Sequence, residues 1–194
     1  MPIEQLVSVG SARPIRRWAD PVLHERARPV FEFDDALQLL LADMFATNTA
    51  ASGAGLAAPQ VGVALSAFIY DCVDENFDRQ TGVVCNPVVE IDQGATRQLE
   101  TWEEGCLSLP GGYAELARPA VAICRGQDQY GSPVELRGTG LLARCFQHET
   151  DHLNGIVFGD RLSSRRRRAL YETHRDGAHR YPLSWPATRD EDLR

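Results

Sequence analysis

The chain contains no lysine; all twenty of its basic residues are arginine. Chemistry that depends on a lysine amine, such as Schiff-base formation or a P-loop lysine, is therefore excluded. A CxxC pair is also missing. The five cysteines, an odd number, are scattered at Cys72, Cys85, Cys106, Cys124 and Cys145. A disulfide framework is not expected from such spacing, and buried reduced thiols are the default. No apolar run is long enough to cross a bilayer. The best stretch, Ala54 to Tyr70, is interrupted by Pro59, Gln60 and Gly62. No apolar h-region follows the first basic residues, so no secretory signal is visible, and the chain reads as cytoplasmic. Positive charge is in the minority, with a formal net charge of −7. That balance argues against sequence-specific nucleic-acid binding and leaves room only for a local basic patch.

What is present suits one globular domain over residues 1–194, with 43% hydrophobic residues. Residues 1–19 mix Arg, Pro and Gly without a period and are expected to form an irregular arm. A catalytic core is expected over 20–160. It opens with Asp34 as an N-cap and Leu37, Leu40, Leu41 and Met44 at helical spacing, ending near Thr47. Residues 51–55 read as a loop. Strands are expected at 67–70, 83–85, 88–91, 98–102, 121–124 and 133–137, with a turn at 127–132. A second helix is expected from Thr139 to His152, stopped by Gly155 as a C′ residue. A basic helix over 161–180 and a tail over 181–194 follow. The order of elements predicts an α+β fold: mostly antiparallel sheets packed around a central helix, with one helix N-terminal and one C-terminal to them.

The sharpest local feature is His148-Glu149-Thr150-Asp151-His152, an H-E-x-x-H. Residues four apart share a helix face, so both imidazoles can meet one ion while Glu149 stands beside it as a proton acceptor. Leu141, Cys145, His148 and His152 form one stripe, so the histidines continue an apolar face where idle imidazoles would be costly. A catalytic metal needs a third protein ligand. A third histidine six residues after His152 is ruled out, because position 158 is Phe. Glu172 stands at a suitable distance for the zinc-endopeptidase pattern, but among four arginines. Cys106, in Glu104-Gly105-Cys106-Leu107-Ser108, is a third candidate, in a glycine-bearing segment after a strand where a thiolate could be presented; taken alone, such a cysteine reads more readily as a buried inert thiol.

Three segments in order resemble the signatures of the peptide deformylase family. They are Gly53 to Gln60, Glu104 to Ser108, and Gln147 to Gly155; Asn86-Pro87 is similar to the family as well. The likeness covers residues 20–165. It implies removal of the N-formyl group from the initiator methionine of nascent bacterial chains. It implies Cys106, His148 and His152 as metal ligands, holding one divalent ion, Fe(II) physiologically, with Zn(II), Ni(II) or Co(II) accepted by the same donors. It implies that Glu149 takes the proton of a metal-activated water that attacks the formyl carbon, and later protonates the departing amine. It carries the Gln60 amide and the Leu107 N–H into stabilisation of the oxyanion. Gly55 and Gly105 are expected against the substrate. Leu141 and Cys145 are expected in a pocket for the methionine side chain, with Trp102 as an aromatic wall and Arg144 at the rim. Arg118 matches a family arginine that pairs with Glu104. Tyr113 departs from the pattern, since some relatives carry Arg there. The resemblance also lends support to a ribosome contact through Arg165 to Arg168. The competing reading is a zinc endopeptidase of the H-E-x-x-H type.

Overall fold

The computed structural model describes residues 1–91 and 98–187. The end of the expected tail, 188–194, lies outside the described residues. Helices are α1 (Ile3–Val9), α2 (Asp35–Ala50), α3 (Gly140–Leu153) and α4 (Ser164–Gly177). Strands are β1 (Gly55–Ala57), β2 (Ala67–Val73), β3 (Arg79–Glu90), β4 (Leu99–Gly105), β5 (Tyr113–Pro119), β6 (Val121–Gln127) and β7 (Pro133–Thr139). One antiparallel sheet has the order β1-β2-β3-β6-β7, and β4 with β5 makes a separate two-stranded ribbon. The α+β class with antiparallel sheets is as expected.

Asp34 caps α2, its Oδ1 accepting the Leu37 N–H at 3.0 Å. Leu37, Leu40, Leu41, Met44 and Phe45 then recur with the helical period and bury one stripe of the helix. The stripe meets Leu56, Ile69 and Val83 in one core cluster. Strand β2 is buried on both faces. Ile69 joins the α2 side, whereas Phe68, Tyr70 and Cys72 point the other way, to Leu142, Cys145 and Phe146 of α3. The period of two in a strand accounts for that division. The sheet is thus sandwiched between α2 and α3.

Several elements differ from the sequence reading. The arm over 1–19 is not wholly irregular: α1 is a helix whose Leu6 is fully buried in the α2 cluster. The strands expected at 83–85 and 88–91 are one strand, β3, whose register shifts between Cys85 and Val88. Pro87 cannot donate to a ladder and sits at this irregularity, beside Asn86 at φ 52°. The Asn86 amide bonds both backbone groups of Val30 at 2.8 Å, which ties the N-terminal segment to the sheet. Strands β1 and β5 were not anticipated. The last helix begins three residues later than expected, capped by Ser163.

Helix α3 begins after Thr139, which makes no side-chain cap bond. It ends at Asn154 as C-cap, and Gly155 follows at φ 73°. A side chain there would be strained and would also meet the His24 backbone at 2.8 Å. The ribbon closes over α3 from the side away from the sheet core, bringing residues 104 and 106 to the helix that carries 148, 149 and 152.

Candidate metal centre and substrate cavity

Cys106 follows directly on β4, and His148 and His152 lie one turn apart on α3. Their ligand atoms all fall within 4.8 Å of one another, and all three residues are buried. Cys106 Sγ stands 3.3 Å from His152 Nε2. His148 Nδ1 is bonded to Glu104 Oε1 at 2.7 Å, which places the proton on Nδ1 and leaves Nε2 with a lone pair for a metal. A thiolate and two imidazoles suit late first-row divalent ions. Burial acts on His152 first and lowers its pKa, which keeps the ring neutral as a ligand requires. For His148 burial also acts downward, but the Cys106 sulfur and the Glu104 carboxylate outweigh it and raise the pKa.

Glu149 is 4% exposed, and its Oε2 is buried with no hydrogen-bond partner among the described residues. Burial pushes its carboxyl up to about 7. An unpartnered buried carboxylate oxygen is costly, and Glu149 lines the same cavity as Cys106 and His148. Gly55 makes room for it. A Cβ at that position would meet Cys145 Sγ at 2.6 Å and Glu149 Oε1 at 3.0 Å. The structure thus gives Gly55 a close neighbour within the chain itself, in addition to the expected substrate contact.

Gln60 is held in a fixed orientation. Its Oε1 accepts the Ala57 N–H at 2.8 Å, so its NH₂ faces Ser108 Oγ at 3.3 Å and Cys106 Sγ at 3.9 Å. The amide donor therefore points into the cluster.

Around these groups lies a charged brace. Arg118 donates to both oxygens of Glu104, at 2.8 and 2.7 Å, and to Asp151 Oδ2 at 3.0 Å. Burial would raise the Glu104 carboxyl, but the bonds from Arg118 and His148 outweigh it and hold the pKa well below the usual carboxylate range. The expected Glu104–Arg118 pair is present. Arg144 corrects an expectation. It does not reach out to the rim; it is 6% exposed, and it donates to Glu104 Oε2 at 2.5 Å and to the carbonyls of Glu100 and Leu116.

A cavity of about 390 Å³ opens beside the cluster. Its walls include Gly55, Gln60, Gly105, Cys106, Leu107, Leu141, Arg144, Cys145, His148 and Glu149. The structure thus brings together nearly all the predicted site residues. His152 lies behind the wall, fully buried. Trp102 does not line the cavity; it is 40% exposed, with the Arg144 guanidinium 5.4 Å from its ring centroid. On β4 it lies on the same face as Glu104, two residues on, and packs against the Arg144 guanidinium that Glu104 binds rather than against the cavity. Hydrogen bonding with the free Cys72 thiol, together with burial, pushes the Cys145 thiol well above its ordinary pKa. Sequence reasoning missed three aromatic wall residues, Tyr113, Tyr181 and Trp185. No local period could have shown the last two, because a tail assigns its side chains only by where it docks.

Fold and site together define an α+β protein with an H-E-x-x-H helix and a buried sulfur–imidazole–imidazole cluster open to a cavity. The family model for polypeptide deformylase matches residues 12–168. Peptide deformylase 1 of Streptomyces avermitilis is 48% identical over 174 residues, which cover 90% of this chain and 81% of the relative. Peptide deformylase 2 of Streptomyces coelicolor is 48% identical over 162 residues, covering 83% and 88%. Among solved structures, a peptide deformylase from Legionella pneumophila superposes with a TM-score of 0.77 at 38% identity, covering 87% of this chain and 96% of the other. One from Synechococcus elongatus, in complex with actinonin, gives 0.75 at 35% identity over 93% and 94%. The chain belongs to the polypeptide deformylase family, and it is a hydrolase.

Proposed function

We propose that the enzyme removes the N-formyl group from the initiator formyl-methionine of nascent polypeptides, at the cavity beside Cys106, His148 and His152. The observation that carries the mechanism is the buried Glu149 carboxylate, with one oxygen unpartnered among the described residues, on the same cavity as Cys106 and His148 of the three clustered metal-type donors. Family membership supports the substrate. Cys106, His148 and His152 would hold a divalent ion, and its Lewis acidity would lower the pKa of a water toward about 7.

Glu149 accepts the proton of the attacking water and delivers it to the amine nitrogen as the C–N bond breaks and formate leaves. Its raised carboxyl suits both directions of transfer. Gln60 offers its amide N–H to the oxyanion, pre-aligned by the Ala57 bond, and the Leu107 N–H is the second donor; removing one such donor costs roughly 3–4 kcal/mol. Glu104 fixes the ring of His148, and Arg118 and Arg144 fix Glu104. Arg144 acts on the site through that brace. Leu141 and Cys145 give α3's side of the cavity an apolar surface for the methionine side chain.

We read α3, which carries His148, Glu149 and His152, as the central helix of the fold; its packing on the sheet through Leu142, Cys145 and Phe146 supports that reading. Family membership supports Fe(II) as the ion in the cell, although the same donors accept Zn(II), Ni(II) or Co(II); with iron, activity is lost in air as ion and sulfur oxidise. Location in the cytoplasm fits the substrate; among the described residues no helix is long and apolar enough to cross a membrane. Arg165, Arg166 and Arg168 are exposed on α4, which suits a contact with ribosomal phosphate. Salt-independent or absent co-sedimentation with ribosomes would count against that contact. The endopeptidase reading loses its third donor, because Glu172 is exposed on α4 and stands outside the cluster.

The test is turnover of formyl-Met-Ala-Ser, assayed anaerobically with iron or nickel loaded. Glu149→Gln should lower kcat by about 10²- to 10⁴-fold with metal content retained. Cys106→Ser should lose metal, and Glu172→Ala should change little. A fully metallated wild type that leaves formylated peptides intact overturns the proposal.

A further inference from the structure

One wall of the cavity has no task in the mechanism above. After α4 the chain turns back, and residues 181–187 run alongside the N-terminal segment. Arg17 Nη2 donates to the carbonyls of Tyr181 and Pro182 at 3.1 and 2.9 Å, and the Ile15 N–H donates to the Trp185 carbonyl at 3.0 Å. The Arg17 guanidinium lies 5.4 Å from the Trp185 ring centroid. The rings of Tyr181 and Trp185 meet edge to face, with centroids 5.3 Å apart at 81°. The segment is therefore held by side chains and backbone far away in sequence, and its two rings are fixed relative to each other.

Both rings line the same cavity as Cys106, His148 and Glu149. Tyr181 lies against Gly111, where a Cβ would stand 3.3 Å from the ring. Tyr113, 59% exposed, adds a third aromatic ring from the start of β5. The loop after Cys106 and the returning chain thus build an aromatic wall, while α3 builds the wall with Leu141 and Cys145. The charged groups on the cavity do not compete for this surface. Arg144 and Glu104 are bonded to each other, and Glu103 is an exposed carboxylate.

We infer that Tyr181 and Trp185 bind the side chains that follow formyl-methionine in the substrate, and that they favour bulky apolar or aromatic residues there and disfavour acidic ones. This rests on the deformylase reading. Rings already locked by Arg17 and by each other present contact area at little further entropic cost. Glu103 at the same cavity repels a carboxylate. The wall binds equally before and after the reacting carbon changes geometry, so its contribution falls on KM.

The experiment compares kcat/KM for formyl-Met amide, formyl-Met-Leu-Phe and formyl-Met-Asp-Asp in wild type, Tyr181→Ala, Trp185→Leu and Trp185→Phe. In Tyr181→Ala and Trp185→Leu the advantage of formyl-Met-Leu-Phe over formyl-Met amide should shrink by about five- to tenfold, through KM, with Trp185→Phe largely restoring it. The wild type should use formyl-Met-Asp-Asp least well of the two peptides. An unchanged ratio in folded Tyr181→Ala and Trp185→Leu, accompanied only by a lower Tm, overturns the inference and makes the segment a structural strap. Should Trp185→Leu not fold, Tyr181→Ala and Trp185→Phe decide. A wild type inactive on every formylated peptide would instead sink the deformylase reading.

Discussion

Strand β2 and the ribbon of β4 and β5 both face α3, with opposite chemistry. In β2 the residues turned to the helix are Phe68, Tyr70 and Cys72, packed on Phe146, Cys145 and Leu142. In β4 and β5 the buried side chains are Glu104 and Arg118. One contact is held by apolar area and ring packing, with the Tyr70 and Phe146 rings edge to face at 5.4 Å. The other is held by a closed set of ionic hydrogen bonds among Glu104, Arg118, Arg144, His148 and Asp151. Apolar packing tolerates small errors of position. An ionic brace fixes direction, which a metal ligand such as His148 requires. The molecule uses the first where it needs stability and the second where it needs aim.

The largest effect that separates the two regions is expected from Glu104→Ala. It leaves Arg118 and Arg144 buried without their carboxylate and His148 without its acceptor. A cost of about 3–5 kcal/mol in stability is expected, together with metal affinity reduced by roughly 10- to 100-fold. Denaturant melts and metal analysis on the folded fraction check both halves, and an unaltered metal content would break the comparison. Phe68→Ala should be comparable or slightly smaller in stability, about 3–5 kcal/mol, but folded molecules should keep their metal and their kcat. Loss of metal from the folded variant would show that the apolar contact also aims the site.

The smallest expected effect lies at the exposed end of the sheet. There Asp71 accepts from Arg79 at 2.6 and 2.7 Å and from Thr81 at 2.9 Å. The bond from Arg79 holds the Asp71 pKa below its usual value. A depressed carboxyl contributes stability above its unfolded pKa and loses it as pH falls through the folded one. Asp71→Asn should therefore destabilise by under about 1 kcal/mol at neutral pH, and wild type and variant should converge in acid below roughly pH 3. A difference that persists in acid would assign the effect to packing.

The same contrast explains what could be read in the sequence. Helix α2 was legible because Leu37, Leu40, Leu41 and Met44 mark its buried stripe. Strand β2 was legible because its apolar run is long. The metal trio was legible because His148 and His152 share a helix face and Cys106 sits in a recognisable segment. Strand β5 was not, because its buried residue is Arg118 and the usual apolar signal is inverted. Arg144 lines the cavity as expected, but its burial was not legible for the same reason: a buried guanidinium is invisible without the Glu104 that meets it from another element. Strand β1 has three residues, too few for any period. Trp102 stands four residues before Cys106 along the chain, but it sits, partly exposed, over the Arg144 guanidinium and outside the cavity lining.

The donors at the centre come from two elements that nothing in the chain's local order joins. The sulfur follows β4, and the imidazoles ride on α3, 42 and 46 positions further along. An ion taken by all three would act as a crosslink, pinning the ribbon to the helix. Ligand binding to the folded arrangement alone would add about 4 kcal/mol at a thousandfold excess over Kd. That tether would fall on a ribbon whose buried strand side chains are Glu104 and Arg118 rather than apolar ones, so the ion that serves the reaction would also be the fastener of the wall that positions it.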